Sequence, residues 1–272
     1  MPQRSNFYRE VKIPKRSGGF RSVVVPQPSY KKRLRGCLDS LNALAMALDV
    51  YGVAHGFVPC RSVVTAAHKH VGFKYTLSFD LENCFDHVTQ VMVRQLIASL
   101  AMDLYFIDGV ARQGLPTSPA MANIALAPLD AAIVQRDFGG AYTRYADDLT
   151  FSVNKMRQVQ ELLKSVPLLC AGYGFPIAPR KTKLQCATRG RRIVCGVAVG
   201  ETAIYPTRKT LRRIRAAEHQ DNKNQARGLR EWSRLKGPNW ERWAMQKFSE
   251  GITAHSEVTK VMALQTAYRA GT

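Results

Sequence analysis

The chain opens with two runs of alternating character. Positions 7–14 and 20–26 alternate apolar and polar residues, and Lys15-Arg16-Ser17-Gly18-Gly19 lies between them. Period-two runs on either side of a Gly-Gly turn predict a β-hairpin. The period then lengthens. Between 30 and 50, Leu34, Cys37, Leu38, Leu41, Leu44 and Leu48 fall on one stripe, the spacing of an amphipathic helix. Further helices are expected over 63–71 and 91–104, with a short strand over 75–80 that ends in an acidic loop. A turn over 114–119 leads into an alanine- and leucine-rich helix over 120–135. Residues 141–145 and 149–153 read as two strands joined through Ala146-Asp147-Asp148. A helix over 158–173 stops at Gly174, and 183–199 is strand-rich. From Thr207 the pattern turns helical, basic and tryptophan-bearing, so a boundary is placed near Tyr205-Pro206, separating 1–205 from 206–272. The expected class is α+β: an antiparallel sheet backed by helices, with a helical tail.

Composition narrows the choice of partner. In 272 residues, 40 are Lys or Arg and 20 are Asp or Glu, a formal charge of +20. Folding cannot bury such a surplus unpaired, so it must face water or a polyanion, and nucleic acid is the favoured partner. Six cysteines occur without a Cys-x-x-Cys pair or histidines at zinc spacing, which leaves them as small core residues of a reducing compartment. The N-terminal Met-Pro-Gln-Arg-Ser-Asn has no apolar run, and no stretch approaches the roughly 18 apolar residues of a membrane span. The expectation is a cytoplasmic protein with no membrane partner.

Against this basic background two acidic sites stand out. One is Ser78-Phe79-Asp80-Leu81-Glu82-Asn83-Cys84-Phe85-Asp86, the other Thr143-Arg144-Tyr145-Ala146-Asp147-Asp148-Leu149. Each puts a carboxylate at the end of a β-prone run, and pairing the two strands would gather Asp80, Asp147 and Asp148. Three adjacent carboxylates repel one another, and a hard divalent cation such as magnesium relieves this while keeping places for phosphate oxygens. An Asp-Asp pair at a turn is also an ordinary structural feature, because aspartate caps turns. The pair alone does not decide between these readings.

The segments around it do. Tyr145-Ala146-Asp147-Asp148 resembles the catalytic turn of reverse transcriptases, and Phe79 to Asp86 resembles their first catalytic motif, especially in its group II intron form. Gln113-Gly114-Leu115-Pro116-Thr117-Ser118-Pro119 resembles the loop between these motifs. Ile13-Pro14-Lys15 with Gly18-Gly19-Phe20-Arg21 resembles the fingers hairpin. His55-Gly56-Phe57-Val58-Pro59-Cys60-Arg61-Ser62 resembles a segment shared by retron and group II intron enzymes. Ala66-Ala67-His68-Lys69-His70 resembles the retron Asn-Ala-x-x-His segment with alanine for asparagine. Val194-Cys195-Gly196 resembles retron Val-Thr-Gly with cysteine for threonine, where a primer-grip turn is expected. The matches span about residues 8–200.

This resemblance implies a right-hand polymerase with fingers and palm over 1–205 and a small helical thumb over 206–272. It implies RNA-directed DNA synthesis with two magnesium ions, for which manganese is a substitute, held by Asp80, Leu81, Asp147 and Asp148. It also implies nucleotide contacts. Lys15 and Arg21 would meet the triphosphate, Phe85 would gate against the ribose 2′-hydroxyl, and Gln113 and Gly114 would lie against the sugar. Lys181 would stand near the pyrophosphate as a proton donor. In the tail, Arg208, Arg212 and Arg215 fall on one helical face suited to phosphates, with Leu211 and Ile214 on another and Thr207 as cap. The implied partners are dNTPs, the DNA product and an RNA template, a structured non-coding RNA of a retron or other antiphage-defence system. A defence-effector protein or a second copy of the chain is a further partner to be tested. Plainer readings stand beside these: Phe85 as core, 114–119 as a helix-capping turn, the basic face as merely solvated, and Trp232, Trp240 and Trp243 as core. Two other functions compete, an RNA-dependent RNA polymerase and a non-catalytic RNA-binding scaffold of the same fold. Phe85 speaks against the first and the full carboxylate set against the second.

Overall fold

The computed structural model describes residues 7–15, 18–97 and 102–236. In chain order the elements begin with strands β1 (Tyr8–Pro14) and β2 (Phe20–Pro26), then helices α1 (Pro28–Gly36), α2 (Leu38–Leu48) and α3 (Val63–His68). Next come β3 (Tyr75–Asp80), α4 (Cys84–His87), α5 (Gln90–Leu96), α6 (Ser118–Gln135), β4 (Ala141–Tyr145), β5 (Asp148–Val153) and α7 (Met156–Gly172). The chain continues through β6 (Lys183–Cys186), β7 (Arg192–Val194), β8 (Val197–Val199), β9 (Ile204–Tyr205), α8 (Arg208–His219) and α9 (Lys223–Ser233). The described residues fold into two units: those up to 52 with those in 83–131, and 53–82 with 132–236.

In the first unit β1 and β2 form the expected hairpin, with Pro14 opposite Phe20 and Tyr8 opposite Pro26. The single helix expected over 30–50 is two, because Gly36 and Cys37 interrupt it; the Cys37 N–H closes a tight 3.2 Å bond on the Leu34 carbonyl. Leu34, Leu41 and Leu44 are buried, as their stripe predicts. The helix expected over 91–104 is also shorter. Thr89 caps α5, its Oγ1 accepting from the Met92 N–H at 3.3 Å, and α5 ends at Leu96. Residues 98–101 lie outside the described residues, and Met102–Leu104 makes one 3-10 turn. The one-turn helix α4 was not expected; it follows Asn83, which takes up a left-handed φ of 45°.

The second unit is built on an antiparallel sheet of order β4-β5-β3-β6. Its two faces differ because strand side chains alternate. On one face Leu77, Phe79, Leu149, Phe151 and Val153 are buried, with Phe79 edge-on to Phe151 at 5.9 Å and Tyr142 stacked on it at 4.7 Å. Helix α7, which packs on β3 and β5, buries Val159, Leu162, Val166 and Cys170. Each such side chain contributes about 1.5–3 kcal/mol of burial. The other face carries Thr76, Thr143, Thr150 and Ser152, all buried polar residues.

A second antiparallel sheet, β7-β8-β9, packs against α3. Their shared core is Ala67, Val194, Val197 and Val199, flanked by Val63, Val71, Cys195 and Ile204. Helix α3 starts at Ser62 through a capping box: the Ser62 Oγ accepts from Thr65 N–H, and Thr65 Oγ1 accepts from Ser62 N–H at 2.9 Å. The β7–β8 turn is Cys195-Gly196, both at positive φ (47° and 81°), as a two-residue hairpin turn of the primed kind requires. Thr207 caps α8 as expected, its Oγ1 accepting from Thr210 N–H at 3.2 Å. Trp232 departs from the expectation of a core tryptophan. It is 39% exposed on α9. Trp240 and Trp243 lie outside the described residues.

Candidate active site

Pairing of β3 with β5 sets Asp80 directly opposite Asp148. The β4–β5 connection is two residues long, Ala146 and Asp147, with Ala146 at φ 57°. The Leu81 N–H donates to the Asp147 carbonyl at 3.0 Å, which fastens the end of β3 to this turn. Ala178 N–H donates to the Asp80 carbonyl at 2.8 Å, and a 3-10 turn, Pro179–Lys181, follows. That turn brings Lys181 Nζ to Asp80 Oδ1 at 2.5 Å, and this hydrogen bond raises the lysine's pKa. Asp148 lies at the open end of its strand, yet its carboxyl is pushed up to about 6. Partial desolvation is the larger cause, and the charges of Asp147 and Asp80 add to it, against Lys181 and Lys183.

The donors fit a hard divalent cation in kind. Hard carboxylate oxygens meet from two strands, and their mutual repulsion disfavours ionised Asp148, the strain that a cation relieves. Among the described residues, however, no three acidic, imidazole or thiol side chains close into a complete cage. In this structure the Lys181 ammonium balances Asp80.

The turn is braced from below by residues 53–56. Arg144 N–H donates to the Val53 carbonyl at 2.9 Å, and His55 N–H donates to the Arg144 carbonyl at 2.7 Å. Arg144 is itself buried, and its guanidinium reaches the Ala146 carbonyl at 3.1 Å. Gly56 lies so close that a Cβ there would stand 2.3 Å from the Ala146 nitrogen. Segment 55–62, which resembles one shared by retron and group II intron enzymes, thus meets the turn through His55 and Gly56.

The other nucleotide-site candidates belong to the first unit. Lys15 directly follows β1 and Arg21 is exposed in β2. Phe85 is half-buried in α4. The Gln113 carbonyl accepts from Val24 N–H at 2.7 Å, and a Cβ at Gly114 (φ 105°) would strike the Val24 carbonyl. The close approach that Gly114 permits is therefore to β2.

Arg208, Arg212 and Arg215 are all exposed on α8, with Ile214 buried beneath; Leu211, expected on the apolar side, is 43% exposed. Only Arg208 of the three lines the groove of about 950 Å³ between the β7–β8 hairpin and α8–α9. Arg189, Arg191, Lys209 and Arg213 line it too, with Ile193 and Trp232, and no carboxylate does. Arg191 stacks on Tyr205 at 3.5 Å.

A sheet that sets carboxylates at a hairpin turn opposite a third on the neighbouring strand is a polymerase palm. Residues 13–225 match the family model described as reverse transcriptase (RNA-dependent DNA polymerase), and the chain belongs to that family. Enzymes of the family use divalent metal ions. The retron Mx65 reverse transcriptase of Myxococcus xanthus is 33% identical over 253 residues, covering 82% of this chain and 58% of the relative. The retron Mx162 reverse transcriptase of the same organism is 33% identical over 257 residues, covering 78% and 52%. The retron Ec86 reverse transcriptase of Escherichia coli is 28% identical over 231 residues, covering 78% and 69%. The chain thus spans little more than half the length of the two Myxococcus relatives. Among solved structures, a Candida albicans telomerase in complex with a fragment of telomeric RNA superposes with TM-score 0.56 at 12% identity, over 74% of this chain and 46% of that one. An apo telomerase of Candida tropicalis gives 0.52 at 14%, over 73% and 47%. These two likenesses concern the fold. No helix among the described residues is long and apolar enough to cross a membrane.

Proposed function

We propose that this chain is an RNA-directed DNA polymerase of the retron kind, which extends a primer 3′-hydroxyl with dNTPs on an RNA template. The observation that carries the reading is the register that sets Asp80 opposite Asp148 beside the Asp147 turn, with Lys181 on Asp80. Asp80, Leu81, Asp147 and Asp148 would hold two magnesium ions, or manganese in their place. When bound, these supply activation of the 3′-hydroxyl and neutralisation of phosphate charge. The chain's own part is to hold the carboxylates at one place, and Lys181 is positioned to release Asp80 and offer its proton to the leaving pyrophosphate. Family resemblance assigns Lys15, Arg21, Phe85, Gln113 and Gly114 to the nucleotide. It also assigns residues to about 205 to fingers and palm and those from 206 to a thumb.

The basic groove supports the choice of partner. Five cationic side chains beside an exposed tryptophan suit a phosphate backbone and a stacked base. Arg208 serves there, with Arg212 and Arg215 on the adjoining exposed surface. The template is proposed to be a structured non-coding RNA, in the cytoplasm, as part of an antiphage-defence system whose effector is a separate protein or a second copy of the chain. The test is primer extension on primed RNA with dNTPs and magnesium. Wild type should extend and Asp147→Asn should lose nearly all activity while keeping its melting temperature; equal extension by Asp147→Asn would sink the assignment.

A further inference from the structure

Beneath the carboxylates runs a chain of buried polar contacts that their chemistry does not use. Arg192 Nη1 donates to Thr76 Oγ1 at 3.1 Å, and Thr76 Oγ1 lies 2.8 Å from Ser152 Oγ. Ser152 Oγ lies 2.9 Å from His70 Nδ1, and His70 Nε2 lies 2.8 Å from Thr143 Oγ1. All five residues are within 2% of full burial. Arg192 is tied further to the Gly200 carbonyl at 3.1 Å.

The placement is regular. Thr76 precedes Asp80 by four residues on β3, Ser152 follows Asp148 by four on β5, and Thr143 precedes Asp147 by four on β4. Four residues is two strand periods, so Thr76 shares a face with Asp80 and Ser152 with Asp148, about 13 Å away. A one-residue slip of any strand would turn its whole set of side chains to the other face. Arg192 has only protons to give, so Thr76 accepts from it. Each ring nitrogen of His70 faces a hydroxyl, which can donate or accept, so the neutral imidazole finds a partner for both its N–H and its lone pair. Burial, first, and then the charges of Arg192 and His55 keep His70 in that state, pulling its pKa down to about 3.

We propose that His70 is a positioning residue of the polymerase site: its two ring nitrogens bridge β5 and β4 and, through Thr76 and Arg192, fix the register at which the three carboxylates meet. The proposal rests on the reading of Asp80, Asp147 and Asp148 as the reacting centre.

The test compares wild type, His70→Phe and His70→Gln, with Ser152→Ala and Thr143→Val as single-link breaks. Each is measured for melting temperature, single-turnover dNTP incorporation, dNTP KM, and the magnesium concentration that gives half of the magnesium-induced rise in melting temperature. His70→Phe keeps the volume and loses both links. Its incorporation rate should fall about 10-fold or more, as expected when reacting groups shift by a fraction of an ångström. Its KM should stay within about 2-fold, and its magnesium midpoint should rise several-fold. His70→Gln, which retains one acceptor and one donor, should recover most of the rate. Wild-type rate and magnesium midpoint in His70→Phe would overturn the proposal, as would losses that only track the folded fraction. If His70→Phe does not fold, Thr143→Val and Ser152→Ala decide by the same two readouts. If the wild-type chain extends no primer, that counts against the polymerase reading, and the magnesium midpoints alone decide the role of His70.

Discussion

Gly56→Ala probes the brace under the catalytic turn. The added methyl carbon would stand 2.3 Å from the Ala146 nitrogen, 3.0 Å from the Tyr145 carbonyl carbon and 3.2 Å from the Ala146 Cα. Ordinary contact begins at 3.4 Å, so the two segments must part by about 1 Å. All three atoms are backbone, and no rotamer change relieves the clash. Neither segment yields easily. Residues 53–55 are bonded to Arg144 from both sides, and Ala146 already sits at φ 57°, a region costly for alanine. Overpacking of this kind costs about 1–3 kcal/mol, a loss of several degrees in melting temperature. The effect on rate should be larger, because a misplacement of about 1 Å at reacting groups can cost about 10²-fold. Single-turnover incorporation on a primed RNA should therefore fall about 10²-fold in a protein that still folds. Gly228→Ala is the control. It lies in α9 with nothing within 4 Å, so it should gain about 0.5–1 kcal/mol and leave the rate unchanged. A folded Gly56→Ala protein with wild-type rate would show that the turn does not depend on this contact.

Three further outcomes are expected. His70 is held neutral with a pKa lowered to about 3, so the unfolded chain takes up its proton first as pH falls below 6.5. The stability this provides is complete above pH 6.5 and declines toward pH 3; urea melts should show wild type losing about 2 kcal/mol more than His70→Phe between pH 7.5 and 5. Parallel pH dependence in the two would mean the imidazole is not buried neutral. Replacing Arg189, Arg191 and Arg213 together by glutamine should lower the logarithmic salt slope of template–primer binding by about three, whereas an unchanged slope would make the groove a solvated face. Phe85→Ala should raise ribonucleotide use relative to deoxyribonucleotide use in matched single-nucleotide extensions, and unchanged selectivity in an active variant would return Phe85 to the core.

Much of the palm was legible because its signals are local. The alternation in 75–80 and 149–153 fixes faces, and two acidic strand ends announce where chemistry concentrates. Helix α8 was legible for the same reason, since Thr207 and the 3.6-residue pattern are contiguous. The errors arise where tertiary context overrides pattern. The stripe over 30–50 reads through Gly36-Cys37 without marking the break, and a helical period over 91–104 cannot show that α5 stops at Leu96. The groove beside α8 was not legible: helical spacing groups Arg208 with Arg212 and Arg215, but which arginine lines a groove depends on where the 189–198 hairpin packs, and that is a non-local fact.

The polar layer was illegible for a deeper reason. Thr76, Thr143 and Ser152 look like solvent-facing positions of half-buried strands, and nothing in their own segments says that a second sheet and a histidine cover them. That cover comes from two segments far apart in sequence, α3 with His70 after it and the β7–β8 hairpin with Arg192 at its start, which pack on each other through Ala67, Val194 and Val197. They are also the two segments that resemble the retron signatures with one substitution each. At Ala66 and Ala67 the helix is fully buried, so a small side chain fits there. At Cys195 the residue must tolerate φ 47° while its thiol, pushed up to about 12 by burial and by the Asp148 charge, stays neutral. A neutral, compact side chain suits this half-buried position in the field of a carboxylate, where a second negative charge would add to the repulsion already acting on Asp148. The two signatures therefore pack on each other beside the buried polar face of the palm sheet, where the contacts of His70, Ser152, Thr143, Thr76 and Arg192 gain strength from a low dielectric.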